Sequence, residues 1–362
     1  MKIIIPVDVR PTIIKIMPVA MELERRGVEY SLVHTGQHYS EEMSGRFFDE
    51  FGLVEPDLNL SVESGSHAEQ TGGALIGLER YFLKRKPDMV FVHGDANMVP
   101  SACLAAAKLG IATMHNEAGL RCYCRSMPEE INRIVGDHIS DYLCAPTKVS
   151  KDNLLNEGID GRRIRVTGNT VVDAVKMVEP KLMEMEPPVA GDYMLMTLHR
   201  CEHVDCKETL VRILAGVIRT QDEFGMPVVW PMHPRSGKMI RKFGLQKLAG
   251  RLTTIEPLGY VEFLKMLVGA KVVITDSGGV QEEACTLDVP CVTVGDKTER
   301  VETLKIGSNR IAGTTSAGIV AATRKMIGAH GWRNPYGNGR AAKKVVDFIT
   351  SSGESLCRKK TQ

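Results

Sequence analysis

The sequence predicts an α/β protein made of two Rossmann-like, doubly wound domains facing across a cleft. Three observations predict it. The candidate strands are short, wholly apolar runs, such as Ile3–Val7 and Met89–His93, rather than alternating ones. Strands of that kind are buried on both faces and belong to parallel sheets covered by helices. These runs alternate with segments of helical periodicity along most of the chain. The alternation breaks over Glu179–Asp192, which is poor in pattern and holds Pro180, Pro187 and Pro188, and then it restarts. At 362 residues the chain is too long for one ordinary core, so two domains are the default.

In order, Ile3–Val7 reads as a strand and Pro11–Arg26 as a helix opening near a proline, where a missing N–H does no harm. Glu29–Thr35 is the next strand. Met89–His93 follows a Lys-Pro-Asp turn, Val99–Leu109 is helical and Ile111–Glu117 is a strand. Pro128–Ile139 (helix), Tyr142–Ala145 (strand), Lys148–Asn156 (helix) and Ile164–Val166 (strand) continue the alternation. After the break, Tyr193–Thr197, Val228–Pro231, Leu252–Ile255, Val272–Asp276 and Cys291–Val294 read as strands. Lys207–Phe224, Lys238–Leu245, Tyr260–Val268 and Gln281–Leu287 read as helices. The expected domains are 1–178, an N-terminal Rossmann-like domain, and 190–335, a C-terminal one.

Composition narrows the function. Charged residues are 25% and hydrophobic residues 43%, the balance of a soluble globular enzyme. A net charge of +2 argues for neither a nucleic-acid nor a membrane partner. No apolar run is long enough to span a bilayer, and the amino terminus reads as a strand rather than a signal peptide. Nine cysteines are scattered without a disulfide-like framework, so reduced thiols and a cytoplasmic location are expected.

The most informative stretch is Asp276-Ser277-Gly278-Gly279-Val280-Gln281-Glu282-Glu283. A strand, a small-residue turn and a helix start present free N–H groups and the positive end of a helix dipole to an anion. Glycine lets backbone approach a ligand closely. A carboxylate shortly after, here Glu283, suits the paired hydroxyls of a ribose. Polar groups also stand at the ends of other expected strands: Asp8-Val9-Arg10-Pro11-Thr12 with Lys15, Gly94-Asp95, His115 to Arg121, His199 to His203, and His233. Any one of them could be a helix cap or a surface loop. Together they mark one edge of each sheet, where open α/β sheets bind ligands.

The ordered set of Thr35-Gly36-Gln37-His38, Gly94-Asp95, His115–Arg121, Met127–Arg133, Val166–Thr170, Asp276–Glu283 and Asn334–Gly339 resembles the motif series of the non-hydrolysing UDP-N-acetylglucosamine 2-epimerases over nearly the full chain. The resemblance implies the glycosyltransferase-B architecture and a C-terminal segment, 336–362, whose helix crosses back to the first domain. It implies a homodimer, a UDP-sugar substrate, no cofactor and no metal. Its chemistry would be elimination of UDP across C1–C2 to a 2-acetamidoglucal, then re-addition with protonation of the opposite face. It implies Asp95, Glu117 and Glu129 as acid–base groups, with His199 also catalytic. Substrate binding would fall to Arg10, Lys15, Arg133, His233, Ser277, Gly278, Gly279 and Glu283, and Gln37 and His38 would be regulatory positions. A hydrolysing epimerase releasing N-acetylmannosamine and a non-catalytic sugar-nucleotide binder are the alternatives.

The chain departs from the family pattern at several places. Asp8 and Thr12 stand where a glycine and a glutamate are usual, Ala96 and Asn116 replace Thr and Val, His203 replaces Asn, and Val301 replaces Pro. An ionised Asp8 is expected to repel a diphosphate unless it turns away or is paired. Cys122, Cys124, Cys201 and Cys206 lie near strand ends, but their spacing matches no standard metal site, and free thiols are the expectation.

Overall fold

Two parallel sheets organise the chain. The computed structural model describes residues 1–36, 55–62, 65–186 and 189–360. The strands are β1 (Lys2–Val7), β2 (Glu29–His34), β3 (Leu58–Asn59), β4 (Met89–His93), β5 (Ala112–Asn116), β6 (Tyr142–Ala145) and β7 (Ile164–Val166), then β8 (Met194–Thr197), β9 (Val228–Pro231), β10 (Thr253–Ile255), β11 (Val273–Thr275), β12 (Cys291–Val294) and β13 (Asn309–Gly313). In the first half the helices are α1 (Arg10–Arg25), α2 (His67–Arg85), α3 (Met98–Lys108), α4 (Pro128–Ile139), α5 (Lys148–Asn156) and α6 (Thr170–Glu184). In the second half they are α7 (Cys201–Val204), α8 (Lys207–Phe224), α9 (Pro234–Phe243), α10 (Gln246–Ala249), α11 (Tyr260–Gly269), α12 (Gly278–Thr286), α13 (Val301–Lys305), α14 (Ser316–Met326) and α15 (Ala341–Lys360).

The contacts divide the chain into one unit of Met1–Ala174 with Tyr336–Gln362 and a second of Val175–Pro335. The first unit carries the sheet β3-β2-β1-β4-β5-β6-β7, and the second carries β10-β9-β8-β11-β12-β13. Every strand pair in both is parallel. Strand order reverses between β1 and β4 in the first sheet and between β8 and β11 in the second. At such a switch point the connections leave in opposite directions and open a crevice at the carboxyl ends of the two strands. The apolar runs that predicted the strands are fully buried, Ile3, Ile4, Ile5, Val90, Phe91 and Val92 among them. Burial of each such side chain stabilises the fold by about 1.5–3 kcal/mol.

Some elements differ from expectation. The break is shorter than Glu179–Asp192, because α6 continues through Pro180 to Glu184. Its apolar stripe of Val171, Val175, Val178 and Leu182 is buried and holds the helix across the missing proline N–H. The helix expected from Lys238 starts at Pro234, with His233 as its cap. Helix α2, which opens with a Ser66–Glu69 capping box, was not expected, nor were β13 and α14.

The last helix belongs to the first unit. Asp173 accepts hydrogen bonds from the Ala341 and Ala342 N–H groups at 3.1 and 3.0 Å, satisfying donors that a helix start leaves open. Asp347 pairs with Arg26 at 2.7 Å, and the Phe348 ring meets Tyr142 edge-on at 5.5 Å.

Candidate active site

In the first unit the polar groups gather where β1, β4 and β5 end. The chain leaves β5 at Asn116 and turns at Glu117, whose φ is +71°. A non-glycine residue held there stores strain that the surroundings must sustain. Gly119 follows at φ +83°, and a Cβ on it would lie 2.2 Å from the Ser150 carbonyl oxygen, so only glycine fits.

Glu117 is buried and engaged on both oxygens. Its Oε1 accepts from Lys15 Nζ at 2.6 Å and from Asn169 Nδ2 at 3.2 Å. Its Oε2 lies 3.2 Å from His93 Nε2, off the hydrogen-bonding angle. Asn116 Nδ2 donates to His93 Nδ1 at 2.9 Å, so the proton of a neutral ring sits on Nε2 and faces Glu117. Burial holds His93 below the usual histidine range.

Asp95, half-buried after β4, pairs through Oδ2 with Arg133 at 2.6 Å. Arg133 is itself buried and also pairs with Glu130 at 2.9 Å. Glu130 accepts the backbone N–H groups of Cys122 and Tyr123 at 3.2 and 2.8 Å. Glu129, one residue earlier on α4, is exposed.

A second buried network braces the same loop. Asp137 accepts from His115 Nδ1 at 2.7 Å, from Arg121 at 2.7 Å and from the Gly119 N–H at 3.1 Å. Glu157 takes the other edge of Arg121 through two bonds of 2.7 Å. His115 Nε2 lies 2.8 Å from the Gly94 carbonyl oxygen, so both ring nitrogens face acceptors. Burial works against the charge on this histidine, but Asp137 outweighs it and raises the pKa. Burial likewise works against the Asp137 carboxylate, and His115 and Arg121 together pull its pKa below the ordinary value.

Asp8 does not reach toward solvent. It is 1% exposed, its Oδ1 accepts its neighbour's Val9 N–H at 2.7 Å, and Oδ2 is buried with no hydrogen-bond partner among the described residues. Burial pushes this carboxyl up to about 6, the Val9 N–H and the Thr12 hydroxyl offset part of that, and the Asp95 charge adds to it. Arg10 begins α1. Gln37 and His38 lie outside the described residues.

In the second unit the ends of β8 and β11 are tied together. Asp276, fully buried, accepts the His199 and Arg200 backbone N–H groups at 3.0 and 2.9 Å, His199 Nδ1 at 2.9 Å and His203 Nδ1 at 3.1 Å. Burial opposes the Asp276 charge, but these donors win and hold the carboxyl far below the ordinary range. His199 is left with Nε2 outward and a side chain 41% exposed. The exposed His233 ring lies 5.6 Å from it.

Ser277 caps α12 by accepting the Val280 N–H at 3.4 Å, and its own N–H donates to Thr275 at 2.9 Å. The two glycines behind it serve different ends. A Cβ on Gly278 would lie 2.6 Å from the Glu299 carboxylate, whereas one on Gly279 would meet only Ser277 Oγ, at 3.8 Å. Gly278 is therefore small for internal packing, and Gly279 leaves backbone open to a ligand. Glu283 is buried on the same helix, and Glu282 beside it pairs with Arg300.

The structure thus brings Lys15 to Glu117 and Arg133 to Asp95, and sets His199 beside His233. Sequence reasoning missed His93, Asn169, Glu130, Asp137 and Asp276 as partners of those residues. Two departures from the family pattern find partners: Asn116 holds His93, and His203 adds a second imidazole to Asp276. Cys201 and Cys206 are exposed and Cys122 is buried. Among the described residues no cluster of three or more His, Cys, Asp or Glu is placed to hold a metal ion.

Comparison with known proteins places this geometry. The family model described as UDP-N-acetylglucosamine 2-epimerase matches residues 21–350. A UDP-N-acetylglucosamine 2-epimerase of Methanocaldococcus jannaschii is 44% identical over 363 residues, covering 97% of this chain and 99% of the relative. One of Methanococcus maripaludis is 44% identical over 360 residues, covering 96% and 98%. The crystal structure of the M. jannaschii UDP-GlcNAc 2-epimerase in complex with UDP-GlcNAc and UDP matches with a TM-score of 0.93 at 43% identity, covering 97% of this chain and 100% of that one. The two Rossmann-like units are of the glycosyltransferase-B type shared by these proteins.

Proposed function

The chain belongs to the UDP-N-acetylglucosamine 2-epimerase family, and from that premise we propose that it interconverts UDP-N-acetylglucosamine and UDP-N-acetylmannosamine. The C2 proton has no adjacent carbonyl to acidify it. Breaking the C1–O bond to UDP as the proton leaves forms a 2-acetamidoglucal instead of a free carbanion. Re-addition of UDP, with a proton delivered to the other face of C2, gives the epimer. Two carboxyl groups in different surroundings suit the two proton transfers.

The observation that carries this reading is the pair of ion-paired carboxylates at adjacent strand ends, Glu117 on Lys15 and Asp95 on Arg133. Asp95 and Glu117, with the exposed Glu129, are the proposed acid–base groups. Arg10, Lys15, Arg133, His199 and His233 offset the charge of the diphosphate, and the Ser277-Gly278-Gly279 turn offers N–H donors to its oxygens. Glu283 takes the ribose hydroxyls. A homodimer in the cytoplasm completes the proposal. The free cysteines suit a reducing compartment, and Ile76 and Leu83, exposed on one face of α2, suit self-contact. Among the described residues no helix is long and apolar enough to cross a membrane.

The test is incubation with UDP-N-acetylglucosamine in D₂O, followed by NMR. The expected result is the N-acetylmannosamine epimer with deuterium at C2 of both sugar nucleotides. Glu117→Gln, Asp95→Asn and Glu129→Gln are each expected to lower turnover by about 10²-fold or more. Epimerisation that keeps the original C2 hydrogen would refute the elimination route. Accumulation of free N-acetylmannosamine would mark a hydrolysing enzyme.

A further inference from the structure

Three carboxylates of the first unit's site are matched by cations. Glu117 has Lys15, and Asp95 and Glu130 share Arg133. Asp8 has none. It sits at the end of β1, beside β4, so Asp8 and Asp95 flank the β1/β4 switch point where the sheet opens its crevice. Asp8 Oδ2 is buried and without a hydrogen-bond partner among the described residues. An unpaired buried carboxylate neutralises more cheaply than it stays charged.

We propose that Asp8 is a proton-linked residue of this site, behind the substrate: the anionic sugar nucleotide draws a proton onto it as it binds, and the buried carboxyl is neutral in the complex. The proposal rests on the nucleotide-sugar reading above and adds the means by which this chain tolerates a carboxyl where a glycine is usual. Other titratable groups around Asp8 do not take that proton. Burial holds His34, at the end of β2, down at about 4. His93 is held below the usual range, and His115 is drawn toward its charged form by Asp137 before any ligand arrives. On α1, Lys15 is committed to Glu117 and Thr12 offers only a hydroxyl. Beside β4, Asp95 is committed to Arg133. Asp8 itself, pushed up to about 6, is poised to gain a proton near neutral pH.

Binding an anion favours the protonated form, so the Asp8 pKa is higher in the complex than in the free protein. Affinity is then greatest below the free value and weakens as pH rises through the interval between the two. An anion within about 6 Å lifts a buried carboxyl by roughly two pKa units, which makes the dissociation constant about ten- to thirtyfold larger at pH 8 than at pH 6.

The experiment is calorimetric titration of the whole protein with UDP-N-acetylglucosamine at pH 6, 7 and 8, in buffers of different ionisation enthalpy. This ligand's diphosphate titrates far below that range, and epimerisation neither releases nor consumes a net proton. The wild type should take up most of one proton at pH 7. Asp8→Asn, which is permanently neutral and of the same shape, should take up none and bind with a flat pH profile. Wild-type binding without proton uptake overturns the proposal whether or not the variant folds, and so does unchanged uptake in a folded Asp8→Asn protein. Absence of any binding by the wild type instead removes the nucleotide-sugar reading and this proposal with it.

Discussion

Asp137→Asn tests whether the buried network behind the Glu117–Arg121 loop holds it in place. Asp137 is fully buried and accepts from three donors, two of them charged: His115 and Arg121 at 2.7 Å and the Gly119 N–H at 3.1 Å. Asparagine keeps the shape, removes the charge and turns an NH₂ group toward donors. Arg121 keeps Glu157 on its other edge, but His115 loses the one carboxylate it meets among the described residues. Breaking a buried pair by removing one partner costs about 3–5 kcal/mol. In a unit of about two hundred residues that is a fall in melting temperature of roughly 6–20 °C. The pH dependence must change too. The His115 pKa is raised, so its contribution is complete below the ordinary value of 6.5 and is lost as pH rises through the raised one. The Asp137 pKa is lowered, so its contribution is complete above the ordinary value of 3.8 and is lost as pH falls through the lowered one. Calorimetric melts from pH 3 to pH 9 should therefore show both contributions in the wild type, and the variant should lack the Asp137 share of the acid limb and the His115 share of the alkaline one. Turnover, measured cold enough for both proteins to stay folded, should also fall, because Gly119 and Glu117 lose their brace. A destabilisation below about 1 kcal/mol, the size of a surface substitution, would refute the reasoning.

Lys15→Met removes the Lys15 cation from the buried Glu117. The carboxyl should rise in pKa, and the limb of the pH–rate profile that reports it should move up by about one unit or more; an unmoved profile with normal turnover would detach Lys15 from Glu117. Ser277→Ala should weaken UDP binding and shorten α12 by losing its cap, while Glu283→Ala should reduce the preference for ribose over deoxyribose. Calorimetry with UDP and deoxy-UDP decides both, and unchanged affinities would place the nucleotide elsewhere. Asp276 has a strongly lowered pKa, so its contribution is present above 3.8 and is lost as pH falls. Asp276→Asn should be less stable at neutral pH and lose that acid limb, and identical acid melts would show that the two histidines do not depend on it.

The strands were legible because parallel sheets bury both faces and write themselves as apolar runs. Their ends were legible because polar residues begin where those runs stop. What joins one end to another was not legible. His199 and Asp276 lie 77 residues apart, and only the β8–β11 adjacency brings them together. Glu117 and Asn169 lie 52 apart and meet because their strands share a sheet edge. Glu129 and Glu130 differ by one step around α4, which leaves one exposed and buries the other against Arg133. Periodicity alone does not decide which of two adjacent glutamates turns inward. Helix α2 escaped notice because Gly72, Gly73 and Gly77 lower its intrinsic helix propensity.

The hydrogen bonds from Ala341 and Ala342 to Asp173 have a consequence for the order in which the protein forms on the ribosome. All of 175–335 emerges before the segment that completes the first unit. The second unit can close its sheet while the first still waits for its final helix, although the first unit's strands were made earlier. Until that helix arrives, the surfaces around Tyr142 and Arg26 that receive Phe348 and Asp347 stay uncovered. A released chain ending at Pro335 should therefore carry a protease-resistant second unit and a protease-sensitive first one, reversing the usual amino-to-carboxyl order of domain folding.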